Sequence, residues 1–229
     1  MRKMKKKHII IISIVFVILF IILFLCLKEG VFFLNNPSFR RYPIRGVDVS
    51  AHQGQIDWKE LASSEIQFAF LKATEGKSYV DPYFQQNFEQ ANQTELKVGA
   101  YHFFRYDSTG QEQAEHFIKT VPKQRGNFAP VIDIEFYGNL ANHPPDKTET
   151  KKELTNMIEL LEEHYGVPPI LYATMKSYHL YLQDDFSKNP IWIRNVFYFP
   201  KLKDKRNWSF WQYTDKAKLE GYNRKRKIY

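Results

Sequence analysis

The chain has 229 residues, a single cysteine and a formal charge of +8. Five of its basic residues precede Ile9 and four more fall at 224–227, which leaves a net of −1 for everything between. No basic face is implied and no nucleic-acid partner is expected, and with Cys26 alone no intrachain disulfide can form, so the fold must rest on a packed core.

The run from Ile9 to Leu27 holds 19 residues without a charge. At 1.5 Å per residue such a helix matches a bilayer core, so it is expected to span a membrane and contact lipid. The basic residues 1–8 before it keep the N-terminus in the cytoplasm and send the rest outside. A cleaved signal peptide is the competing reading. The apolar run is longer than an h-region, however, and lacks a small-x-small cleavage site. Leu25 occupies the position before Cys26 where lipidation would need a small residue. Residues 28–43, with Asn35, Asn36, Pro37 and Pro43, read as a short stalk.

From Ile44 onward, about 190 residues suit one domain, 44–229, with ample length for a core. Short apolar runs alternate with amphipathic stretches, the pattern of β/α units winding a mostly parallel sheet. Strands are expected at 46–50, 68–74, 98–104, 130–135, 169–172, 191–194 and 209–213. Helices are expected at 57–62, at 82–93 behind Asp81 and Pro82, and at 111–120 behind a Ser108–Gln111 capping box. A further helix should open on Thr150 and Glu153 and run to His164, closed by Gly166, and a last short one lies at 175–181. The helices thin out after Tyr172. The fold class is therefore α/β, a barrel with a normal first half and a helix-poor second half.

In a parallel barrel the active site gathers at the C-terminal strand ends. The first strand carries Asp48 and Ser50 there, followed by His52 and Gln53. The second ends on Lys72 and Glu75, and the third carries Tyr101 and His102, with Phe104 and Arg105 after them. The later strands bring Tyr172, then Trp192 and Arg194, then Trp211, Gln212 and Tyr213. Aromatic faces that sugars stack on, beside carboxylates and amides that bind hydroxyl groups, suit a carbohydrate cleft better than a phosphate site. Taken singly, His102 reads sooner as a core histidine, Trp211 as packing between barrel and helices, and Lys72 as a structural counter-ion. No glycine-rich phosphate loop or zinc-type His/Cys spacing occurs, so neither cofactor nor metal is expected.

The fourth strand is the centre of this reading. In V-I-D-I-E from Val131 to Glu135, the period of two puts Asp133 and Glu135 on one face of an otherwise apolar run, with Tyr137 just beyond. Crowded, poorly solvated carboxylates have raised pKa values, which supplies the protonated acid and ionised partner of glycoside hydrolysis.

Five stretches in order carry a resemblance: G-V-D-V-S-A-H-Q-G-Q-I-D-W from Gly46, F-L-K-A-T-E-G from Phe70, G-A-Y-H-F-F from Gly99, V-I-D-I-E from Val131 and F-W-Q-Y-T from Phe210. Together they are similar to the glycoside hydrolase family 25 muramidases. The resemblance implies a modified TIM-like β/α barrel of eight strands and about five helices. It also implies cleavage of the bond between N-acetylmuramic acid and N-acetylglucosamine in bacterial peptidoglycan, with Glu135 matching the catalytic acid and Asp133 and Asp48 its companion carboxylates. A chitinase would need a further acid at Val131. The family's last strand carries another acid in a V-D-x-N motif, whereas here Gly221-Tyr222-Asn223 leads into basic residues. The last strand is thus expected to be incomplete, with an open edge. The alternative expectation is a membrane-tethered peptidoglycan-binding module with impaired catalysis.

Overall fold

The computed structural model describes residues 6–28, 35–124, 126–217 and 219–222. A long helix, α1 (Lys6–Lys28), comes first, and it is the one helix among the described residues long and apolar enough to cross a membrane. The domain then runs β1 (Arg45–Val49), α2 (Trp58–Ala62), β2 (Ile66–Glu75), β3 (Tyr79–Val80), α3 (Phe84–Ala91), β4 (Lys97–Phe103) and α4 (Gly110–Thr120). It continues with β5 (Val131–Ile134), α5 (Lys147–Tyr165), β6 (Ile170–Thr174), α6 (Met175–Ser177), β7 (Ile191–Arg194) and β8 (Phe210–Gln212). Seven strands pair in parallel in the order β1-β2-β4-β5-β6-β7-β8, and the two-residue β3 lies antiparallel on β2. The curled sheet is TIM-like, as expected.

Strand parity sorts the side chains into two cores. Phe68, Phe70, Tyr101, Val131, Ile170, Tyr172, Trp192 and Phe210 pack together inside the curl. Their sequence neighbours Ala69, Leu71, Ala100, Ile132, Leu171, Ile191 and Ile193 join the outer core beneath the helices. The rings of Phe68, Phe70, Phe128 and Phe210 meet at centroid distances of 5.0–5.7 Å and form a floor across the barrel. Two glycines make room for it: a Cβ on Gly46 would lie 2.2 Å from the Phe68 ring, and one on Gly99 would lie 2.5 Å from Phe70.

Local differences from the sequence reading have clear causes. The capping box at α4 is Thr109 with Glu112, one residue later than expected. Helix α5 starts at Lys147 because Asp146 accepts from Glu149 N at 2.9 Å, while Glu153 is taken by Gly110 N of the neighbouring helix at 2.6 Å. Asp81 does not cap α3, which begins after Tyr83; its carboxylate accepts from Tyr83 N and, at 2.8 Å, from Ala51 N on the loop after β1.

The expected stalk is not a free spacer from Asn35 onward. Asn35 Nδ2 donates to Asn195 O, Arg45 donates to Pro37 O, and the Tyr42 ring packs against Trp208 and Trp211. Residues 35–44 therefore form a strap on the outside of the domain. No backbone pairing joins β8 to β1 among the described residues. The two strands are instead linked by a side-chain bond, Gln212 Nε2 to Asp48 Oδ2 at 3.0 Å. The basic end at 224–229, where the incomplete last strand was expected, lies outside the described residues.

Candidate active site

At the C-terminal ends of the strands a cleft of about 810 Å³ opens above the phenylalanine floor. Its lining follows the inner parity of each strand: Asp48 and Ser50 from β1 and its end, Lys72 from β2, Tyr101 and Phe103 from β4, Asp133 and Glu135 from β5 and its end. Tyr172 and Thr174 come from β6, Trp192 and Arg194 from β7, and Gln212 from β8. The parallel register sets Phe103 beside Asp133, Asp133 beside Tyr172, and Tyr172 beside Trp192.

A fixed relay runs across the barrel. Tyr172 Oη donates to Gln212 Oε1 at 2.8 Å, which turns the amide so that Nε2 donates to Asp48. Trp192 stacks on Phe70 with centroids 4.7 Å apart and meets Tyr172 edge to face at 4.7 Å. This wall is rigid because it continues into the floor.

The three carboxyl groups all hold their protons more tightly than free acids do. Burial pushes Asp48 up to about 8; its bond from Gln212 opposes the rise, the charge of Glu135 adds to it, and Arg194 opposes it. Asp133 is raised well above the carboxylate range, first by burial and then by Glu135, with Lys72 opposing. Glu135 is raised by burial against the pull of Arg194 and Lys72. The buried Asp133 Oδ1 has no hydrogen-bond partner among the described residues, an uncommon state for a native polar atom and one that concentrates at functional sites. Tyr101 and Tyr172 are likewise held neutral by burial and by the nearby acids. The cleft thus offers acids that hold their protons more tightly than usual, phenols, and the basic side chains of Lys72 and Arg194.

Of the site residues expected from sequence, Asp48, Tyr101, Asp133, Glu135, Tyr172, Trp192, Arg194 and Gln212 line this cleft. The others lie elsewhere. His102 and Phe104 have the opposite parity to Tyr101 and Phe103 and are buried on the outer face. His102 sits between Thr74 Oγ1 at 2.7 Å and Gln113 Oε1 at 3.0 Å, and burial lowers its pKa to about 3. Because Gln113 Oε1 can only accept, His102 Nε2 carries the proton and Nδ1 accepts from Thr74. It is a neutral core histidine.

Gln53 is buried in a capping box with Ser50, its Oε1 accepting from Ser50 N at 2.8 Å. Glu75 lies between Lys72 at 2.7 Å and Arg105 at 3.4 Å as a counter-ion. Tyr137 lies under the Arg105 guanidinium, 4.0 Å away, with its hydroxyl accepting from Tyr106 N. Trp211 points outward, donating to Asn195 O at 2.9 Å and packing among Tyr42, Phe199 and Trp208.

The cleft also contains His52, noted above only as following the first strand, and Phe136 and Asp215, which the site reading from sequence left out. Parity alone points to Phe103 and Thr174. Asp215 carries no local signal: it lies beyond β8 and enters the site through its ion pair with Arg194 at 2.8 Å.

Known proteins resemble this chain in sequence and fold. A family model described as Glycosyl hydrolases family 25 matches residues 47–222. A solved family 25 glycosyl hydrolase from Bacillus anthracis is 50% identical, with a TM-score of 0.80 over 85% of this chain and 88% of that one. The uncharacterized protein YegX of Escherichia coli K12 is 35% identical over 80% of this chain and 67% of its own length. Lysozyme M1 of Streptomyces globisporus is 27% identical over 78% of this chain and 64% of its own. With the model spanning nearly all of the domain, the chain belongs to glycoside hydrolase family 25.

Proposed function

We propose that the protein is a peptidoglycan muramidase, hydrolysing the N-acetylmuramic acid to N-acetylglucosamine bond with Glu135 as the proton donor. The observation that carries this is the convergence of Asp48, Asp133 and Glu135, all with raised pKa values, in one cleft walled by Tyr101, Tyr172 and Trp192. Protonated Glu135 gives its proton to the glycosidic oxygen as the bond to the sugar carbon breaks, and the resulting carboxylate takes a proton from the incoming water. Asp133, in the same cleft, either stabilises the developing oxocarbenium ion or orients the 2-acetamido group. Asp48 is held by Gln212 on the opposite wall.

The finer reading is a tethered enzyme. Helix α1 supplies the span, the basic residues before it keep the N-terminus in the cytoplasm, and the domain then meets the wall from outside.

Glu135→Gln preserves shape and hydrogen bonding but cannot donate the proton. On a peptidoglycan zymogram its turnover should fall by roughly 10²–10⁴-fold while glycan binding survives. Near wild-type cleavage by this variant means that Glu135 is not the acid. A folded wild-type chain that binds glycan and never cleaves it supports the impaired binding module instead.

A further inference from the structure

Residues 195–199 follow directly on Arg194 of the cleft wall and carry three exposed aromatics, Phe197 at 64%, Tyr198 at 62% and Phe199 at 40%. They are not loose. Asn195 Oδ1 accepts from both Phe197 N at 3.2 Å and Tyr198 N at 3.3 Å, so the loop holds its rings outward against the hydrophobic effect. The outer strap meets the same spot: Asn35 donates to Asn195 O, and the Arg41 guanidinium lies 5.8 Å from the Phe199 ring.

Charge gathers here too. Segments 35–45 and 195–208 together hold seven basic residues and one acid, Asp204. Arg40, Arg41, Lys201, Lys203 and Lys205 are exposed, whereas Asp204 accepts from Tyr178 at 2.6 Å. The near-neutral average of the domain sequence hides this patch, and the expectation that no basic face exists is corrected by the fold.

The tether fixes what the patch can reach. Only six residues separate Lys28, the last of α1, from Asn35. At 3.3–3.6 Å per residue, Asn35 therefore lies no more than about 25 Å from the end of the apolar helix. Exposed aromatics ringed by Lys and Arg, held that close to a membrane span, have the composition of an interfacial lipid contact.

We propose that the 195–205 loop, with Arg40 and Arg41, docks on an anionic lipid surface and holds the rim of the cleft against the membrane in which α1 sits. The substrate class narrows accordingly to membrane-proximal glycan strands. This rests on the tether reading above.

The test uses the full chain in vesicles of phosphatidylcholine and phosphatidylglycerol in equal parts. A fluorophore is placed at native Cys26, or in a Cys26→Ser background at Tyr198→Cys or at Glu163→Cys, the last an exposed site near the far end of α5. Headgroup nitroxide lipid should quench the Tyr198 label several-fold more than the Glu163 label, and the difference should shrink in vesicles of phosphatidylcholine alone. Equal quenching at the two sites, with the Cys26 label quenched by a nitroxide placed high on the lipid acyl chain, overturns docking while the tether stands. An unquenched Cys26 label overturns both. Indifference to phosphatidylglycerol overturns the anionic surface. Shielding of Tyr198 that persists in detergent and rises with protein concentration assigns the face to a second copy and overturns the proposal.

Discussion

Tyr101 and His102 are adjacent in sequence, both buried or nearly so, and belong to different chemistries. Tyr101 faces into the curl of the sheet among the acids, while His102 faces outward against α4, its ring edge-on to Phe117. The same division separates Asp133 from Ile134 and Gln212 from Trp211. The inner face tolerates ionisable groups because a cleft needs them. On the outer face every polar atom has to be matched within the core, as His102 is by Thr74 and Gln113.

Substitutions on the two faces should therefore differ in kind. Beyond the loss of turnover in Glu135→Gln, the next largest effect is expected from Asp133→Asn, on the order of a hundredfold in kcat. The coupling between the two acids is read from the other side: beyond burial, the charge of Glu135 is what raises Asp133, so in Glu135→Gln the Asp133 carboxyl ionises more readily and the alkaline limb of residual activity moves to lower pH. A pH–rate profile with an unmoved limb breaks the coupling between the two acids.

Asp48→Asn sharpens the contrast through stability. The folded pKa of Asp48, about 8, lies above its ordinary 3.8. The native state thus binds this proton more tightly than the unfolded chain does. The stability that it contributes is complete below about pH 4 and is lost as pH rises through about 8, by on the order of a few kcal/mol. The denaturation midpoint of Asp48→Asn should fall less than that of wild type across that window, as urea titrations at several pH values would read. Parallel declines refute the buried-acid reading.

The smallest effect on chemistry belongs to the outer face. His102→Phe leaves the buried Thr74 hydroxyl without its ring partner, while Gln113 keeps its bond from Arg105 N, and should cost about 1–3 kcal/mol of stability. It should leave kcat/KM within about threefold once the assay is run well below Tm. A large kcat loss in a folded His102→Phe protein would blur the division between the faces.

Much of this architecture was legible in the sequence because it is local. The strand at 191–194 coincides with β7, the alternation in V-I-D-I-E puts both acids inside, and the thinning of helices after Tyr172 holds. Strand parity alone separates His102 and Phe104, on the outer face, from Tyr101 and Phe103 in the cleft. What stayed hidden depends on distant contacts. Asn35 meets Asn195 across 160 residues and Gln212 meets Asp48 across 164. No periodicity announces such pairs, so the strap, the basic patch and the entry of Asp215 into the site emerge only in three dimensions.

The floor of phenylalanine rings closes the bottom of the cleft, which opens at the C-terminal strand ends. A polymer lying across that opening is its own lid, and it shuts Asp133 and Glu135 away from bulk solvent, which strengthens their hold on protons during the approach to bond breaking. Water that finishes the reaction does not rise through that floor. Where it enters from the cleft side, through the space that the departing half of the glycan leaves, product departure and water arrival become one exchange.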